Sequence, residues 1–170
     1  VILGTNYSWS FLVGIGLIVG FRKNGLYGLL SVPGVIFIII GSIQLFNHNN
    51  GMGDPNLSIY RITPSNLPVK IKMLERHPNS SQIFLPIVSG HYLICVAPPD
   101  LKGLPDLSMI MAFVVPPEVG ISYHPQTWHL PLMVLKIPGT FSMIMWNDGT
   151  DSDCVIYNLK EPIRILQNKQ

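Results

Sequence analysis

The chain has 170 residues, a formal net charge of +2, and charged side chains at only 12% of positions. That length suits one domain able to bury its own core, and so small a charge without a basic run excludes a nucleic-acid binder. Two widely separated cysteines, Cys95 and Cys154, form neither a zinc pair nor a disulfide framework, and point to a reducing compartment.

In chain order, the shortage of charge comes first. Between Val1 and Phe46 the only charged residues are Arg22 and Lys23. They separate "VILGTNYSWSFLVGIGLIVGF" from "LYGLLSVPGVIFIIIGSIQLF", each long enough to cross a bilayer as a helix. Gly16 and Gly20 add a helix-packing G-x-x-x-G. A dinucleotide loop is a poor reading of "GIGLIVG", because the spacing is off by one residue and no strand-turn-helix surrounds it. The positive-inside rule would hold Arg22 and Lys23 in the cytoplasm and send everything after Phe46 across, against the cysteine reading. The first methionine is Met52, where the composition turns soluble. Residues 1–51 are therefore expected to be an apolar segment without chemistry, either two membrane helices or misassigned upstream sequence. Residues 52–170 are expected to form the functional domain.

After residue 55 short apolar runs alternate with Pro and Gly, and no helical period is sustained. The expected strands are Leu57–Ile62, Val69–Arg76, Gln82–Leu85, Tyr92–Ala97, Met109–Val115, Leu132–Ile137, Phe141–Trp146 and Cys154–Asn158. "NDG" at 147–149 marks a turn between the last two. Eight short strands predict an all-β jelly-roll sandwich or barrel.

Side-chain parity then orients the polar residues. In "VKIKMLERHP" the odd positions are Val69, Ile71, Met73, Glu75 and His77, so Glu75 and His77 are expected on the inner face and Arg76 in solvent. Two titratable groups on an apolar face are costly unless they pair or bind something. In "NLSIYRITP", Arg61 shares parity with Leu57 and Ile59 and is expected inward as a cation, with a surface arginine on an edge strand as the alternative because Tyr60 and Ile62 are apolar too. His129 shares parity with Met133, Leu135 and Ile137 and is expected inward, with His124 a bystander near the pocket mouth. Trp128 reads as packing. "NDGTDSD" lacks the bidentate Glu of a calcium loop, since Leu159 stands at its twelfth position.

The constellation resembles the small jelly-roll barrels called cupins, in which H-x-H, a following Glu and a later His hold a metal. Glu75-Arg76-His77 stands where H-x-H would be, Gln82 where the Glu would be, and "HPQTWH" supplies His129. A neutral amide and fewer imidazoles weaken the case for a tightly held metal.

More specifically, "IYRITPSNLP", "LERHPNSSQIFLP", "PDLSMIMAF", "GISYHPQTWHLPL" and Asp153-Cys154 resemble, in order, the ureidoglycolate lyases of allantoin breakdown. The resemblance implies a homodimeric enzyme that splits (S)-ureidoglycolate into glyoxylate and urea. Glu75, His77 and His129 would be the catalytic acid/base groups, and Arg61 and Gln82 would bind substrate. No cofactor is expected to be required, with a divalent metal as the alternative. The expected location is the cytoplasm, or a membrane if residues 1–46 anchor the chain. Met111 stands where the family usually has an arginine, so a metal-dependent cupin of another reaction class and an inactive, membrane-tethered relative remain open beside the lyase.

Overall fold

The computed structural model describes residues 28–32, 35–39, 45–48 and 53–166. Among the described residues everything regular is β-structure, apart from one 3-10 turn at Leu107–Met109. Strands β1 (Gly28–Val32) and β2 (Val35–Ile39) pair antiparallel, Gly28 opposite Ile39. The second membrane helix expected from sequence is thus corrected in its described parts, which are two strands. The first, at residues 1–21, lies outside the described residues. Among the described residues no helix is long and apolar enough to cross a membrane.

The remaining strands are β3 (Asp54–Ile62), β4 (Val69–Arg76), β5 (Gln82–Val88), β6 (Tyr92–Ala97), β7 (Met111–Val115), β8 (Ile121–Tyr123), β9 (Trp128–His129), β10 (Met133–Val134), β11 (Gly139–Asn147) and β12 (Val155–Ile165). They form two antiparallel sheets. One has the order β3-β11-β5-β8. In the other, β6 pairs with β7 on one edge and with β9 and then β10 on its opposite edge. Strand β9 continues to β4 and β4 to β12. The chain between His129 and Met133 breaks where Pro131 removes a ladder donor, so β9 and β10 are two short strands in place of one long one.

Two apolar clusters explain the layering. The first joins the sheets: Phe84, Ile121, Tyr123, Phe141 and Met143 meet Tyr92, Ile94, Val96 and Val134. The second lies on the other face of the larger sheet, where Leu93, Cys95, Ala97, Leu74 and Trp128 are packed by side chains such as Leu107, Ile110 and Tyr157. Strand β6 is therefore buried along its whole length, as its unbroken apolar run requires.

Strand β4 departs from strict alternation. Val69 and Ile71 share the second cluster with Leu74, so the facing slips between Ile71 and Leu74. The partner strand is irregular at the same level, with Asn158 opposite Met73 and Ile163 opposite Ile71. Extra residues in one strand of a pair bend it and re-aim its side chains. Beyond the slip, Glu75 and His77 face one cavity and Leu74 and Arg76 the other side.

A candidate active site at one end of the inter-sheet space

Glu75, on β4, stands directly opposite His129 on β9. His77 follows β4, and Gln82 opens β5 beside Tyr123 of β8. Glu75, His77 and Gln82 line a pocket of about 470 Å³, with Asn56, Ser58 and Tyr60 of β3 on the opposite wall. His129 is only 1% exposed and packs behind Glu75 and Gln82.

Main-chain carbonyls fix both imidazoles. His77 donates its Nδ1–H to the carbonyl of Asp153 at 2.5 Å. Its Nε2 is consequently the bare nitrogen, buried and, among the described residues, without a hydrogen-bond partner. His129 donates Nδ1–H to the carbonyl of Thr127 at 2.8 Å, and its ring stacks on Tyr123 with centroids 4.0 Å apart. Its Nε2 lies 3.1 Å from Gln82 Oε1 and 3.5 Å from Glu75 Oε1. Both nitrogens of His129 thus face oxygen atoms. Burial alone would raise the Glu75 pKa, but the hydrogen bond from His129 and the charges of His129 and His77 outweigh it and hold the carboxyl below its ordinary range. Burial and the neighbouring His129 push the His77 pKa down, which favours neutral imidazole, against an opposing pull from the Asp153 carbonyl and the Glu75 and Asp153 charges.

The same geometry fits a metal. Glu75, His77 and His129 each offer a ligand atom, all within 4.8 Å of one another. Imidazoles that donate Nδ1–H to carbonyls are oriented as metal-binding histidines are.

Four of the sequence-predicted site residues therefore come together: Glu75, His77, Gln82 and His129. Arg61 does not join them. Asn56, Ser58, Tyr60 and Ile62 face the pocket, whereas Arg61 lies exposed on the other side of β3 with Leu57 (67% exposed) and Ile59 (57%). The shared parity of these three holds, but their apolar face is the outer one, which corrects the inward placement. The described lining holds Glu75, Asp148, Asp151 and Asp153 and no lysine or arginine.

Arg76 is corrected as well. Its guanidinium lies 4.8 Å from the centroid of the Trp128 ring instead of in solvent, and its Nη1 and the Trp128 Nε1 each donate to the Gly103 carbonyl at 3.0 Å. Gly103 has φ +77, a conformation in which a side chain would be strained. Trp128 is core, as expected. His124 is outside the pocket lining and tilts against Phe46, 4.9 Å between centroids. Met111 pairs with Val96 and packs against the inter-sheet cluster, away from the pocket. Residues 45–48, before the boundary expected at Met52, touch the turn after β4: Ser81 N–H donates to the Phe46 carbonyl at 3.1 Å and His48 N–H to that of Asn79 at 2.6 Å.

Sequence reasoning missed the Thr127 and Asp153 carbonyls, because a main-chain oxygen carries no residue signature. It also missed Tyr123, whose place two residues before a turn gave no hint of a stack on His129.

Residues 42–166 match the family model described as ureidoglycolate lyase. A ureidoglycolate lyase of Pseudomonas fluorescens is 36% identical over 110 residues, covering 65% of this chain and 64% of that protein. One of Escherichia coli is 37% identical over 105 residues, covering 62% and 63%. The chain therefore matches somewhat under two thirds of these relatives' length. Among solved structures, a dTDP sugar isomerase from Desulfovibrio desulfuricans G20 superposes with a TM-score of 0.45 at 11% identity, over 85% of this chain and 88% of that one.

Proposed function

From the premise that this chain belongs to the ureidoglycolate lyase family, we propose that it splits (S)-ureidoglycolate into glyoxylate and urea in the pocket beside Glu75 and His77. The observation that carries this reading is the bare, buried Nε2 of His77 next to a carboxylate backed by a second imidazole. The reaction removes the hydroxyl proton, breaks the bond from that carbon to the ureido nitrogen, and delivers a proton to the departing nitrogen. Neutral His77 is suited to accept the first proton. The His129–Glu75 pair is suited to supply the second, with Glu75 at the wall and His129 behind it. Gln82 holds the pair and offers its amide to the ureido group. Because Arg61 lies on the outer face, it has no part in this scheme.

Metal-free chemistry has a competitor in the same residues. His77 Nε2, His129 Nε2 and a Glu75 oxygen would hold a divalent cation, which would polarise the substrate hydroxyl and offset its carboxylate. The wall's acidic character favours that arrangement, since no described lysine or arginine there meets a substrate anion. The cupin-like jelly roll, a homodimer and a cytoplasmic location belong to the same proposal, supported by the two antiparallel sheets and the family membership.

The test supplies (S)-ureidoglycolate to the chelated and the metal-loaded protein and follows glyoxylate, urea and ammonia together. Equal glyoxylate and urea is the expected result. Ammonia in place of urea would make the enzyme a hydrolase, and a folded protein without turnover in either state would favour the inactive relative.

A further inference from the structure

We infer that Asp153 is a positioning residue: its carboxylate pins the connector before β12 so that its own carbonyl holds His77 in the tautomer with Nε2 bare. The inference rests on reading His77 as the group that meets the substrate.

Asp153 makes three contacts with one short stretch of chain. Its carbonyl accepts from His77 Nδ1. Its Oδ1 accepts from the backbone N–H of Asn79 at 2.6 Å, and its Oδ2 from the hydroxyl of Ser80. Residues 77–80 are the end of β4 and the turn into β5, so a single residue of the β11–β12 connector clamps the turn that carries the histidine. Residues 148–152, "DGTDS", are mostly exposed, and Thr150 and Ser152 donate to the Asp148 carboxylate. From the other side, the backbone N–H of Gln126 donates to the His77 carbonyl at 2.8 Å. That contact holds the backbone of His77 but leaves its ring free to turn. Among the described residues, the hydrogen bond that fixes the ring is the one to the Asp153 carbonyl. Were it displaced, the ring proton could move to Nε2, and the nitrogen facing the pocket would become a donor instead of an acceptor.

The carboxylate matters here through geometry more than charge. An amide in its place keeps one oxygen for one of the two donors, whereas a methyl group keeps none. This separates Asp153→Asn from Asp153→Ala.

The experiment is long-range proton–nitrogen NMR on the full chain with 15N-labelled histidine, His77→Gln identifying the His77 signals. The wild type is expected to show His77 with its proton on Nδ1. In Asp153→Ala the signals should move to a mixture of tautomers or to the Nε2–H form, and Asp153→Asn should retain most of the wild-type pattern. His129, held by the Thr127 carbonyl, should stay unchanged in both. Wild-type His77 signals in Asp153→Ala would overturn the inference, as would an equal disturbance of His129, which would mean general loosening. Should Asp153→Ala not fold, Ser80→Ala removes one of the two donors, and its His77 signals should move part of the way; unchanged signals would again overturn it. With (S)-ureidoglycolate, Asp153→Ala is expected to lose about 10- to 100-fold in kcat with little change in KM. If the wild type itself turns over no ureidoglycolate, the functional reading fails alone, and the tautomer still decides the role of Asp153.

Discussion

The two faces of β4 and β9 use the same kinds of side chain to opposite ends. On the outer face Arg76 lies over Trp128, and both donate to the Gly103 carbonyl, so cation, aromatic ring and acceptor close on one another. On the inner face Glu75, His77 and His129 approach just as closely; among the described residues a buried nitrogen lacks a partner on each face, Arg76 Nε outside and His77 Nε2 inside, but of these two residues His77 lines the pocket. Burial on the outer face stabilises, while burial on the inner face leaves a bare imidazole lone pair next to a cavity. A cluster packed in the core is a fastener, and one beside a cavity is a site.

If that contrast is real, substitutions on the two faces should fail in different ways. The largest effect is expected from Glu75→Gln, which keeps shape but removes the charge facing His129. The loss of kcat/KM should be about 10²- to 10⁴-fold, read as glyoxylate and urea formed, with the urea-denaturation midpoint little moved. Near-wild-type turnover would abolish the distinction. Trp128→Ala should do the reverse, costing about 3–5 kcal/mol of stability by denaturant titration, because it empties part of the second apolar cluster.

A smaller effect should appear with pH. His77 and His124 are both held below the ordinary imidazole value, chiefly by burial. The unfolded chain then binds more protons than the folded one from about pH 6.5 down to the folded values, so stability is full above that point and falls as pH drops through the window. Denaturation midpoints at about pH 8 and about pH 5 should differ in that direction, and His77→Gln should shrink the gap. The smallest effect belongs to Arg61→Ala. On an exposed face it should change stability by no more than about 0.5 kcal/mol and leave KM unaltered. A large rise in KM would return Arg61 to substrate binding.

Much of this arrangement was legible from sequence, unevenly. Strands β4 and β6 have the bounds expected from their apolar runs, Val69–Arg76 and Tyr92–Ala97. The grouping of Glu75, His77, Gln82 and His129 followed from the resemblance to the cupin motifs. Parity could say which residues share a face but not which face is inside. Strand β3 has its more apolar side outward, so Arg61 was misplaced, and the slip between Ile71 and Leu74 has no sequence marker. Apolar length was equally blind to pairing. Residues 28–32 and 35–39 look like part of a membrane helix until they are seen as antiparallel partners, with the turn-prone Pro33-Gly34 between them.

The chain's two thiols differ as sharply as the two faces do. Cys95 is fully buried in β6, and burial pushes its thiol up to about 12, which removes it from reaction with ordinary alkylating reagents. Cys154 is exposed and lines the same pocket as Glu75, although slight burial and the nearby carboxylates raise its pKa and slow it. A maleimide fluorophore would therefore attach at one place without any engineering, at the rim of the cavity. The natural sequence already carries the address for an optical reporter of occupancy.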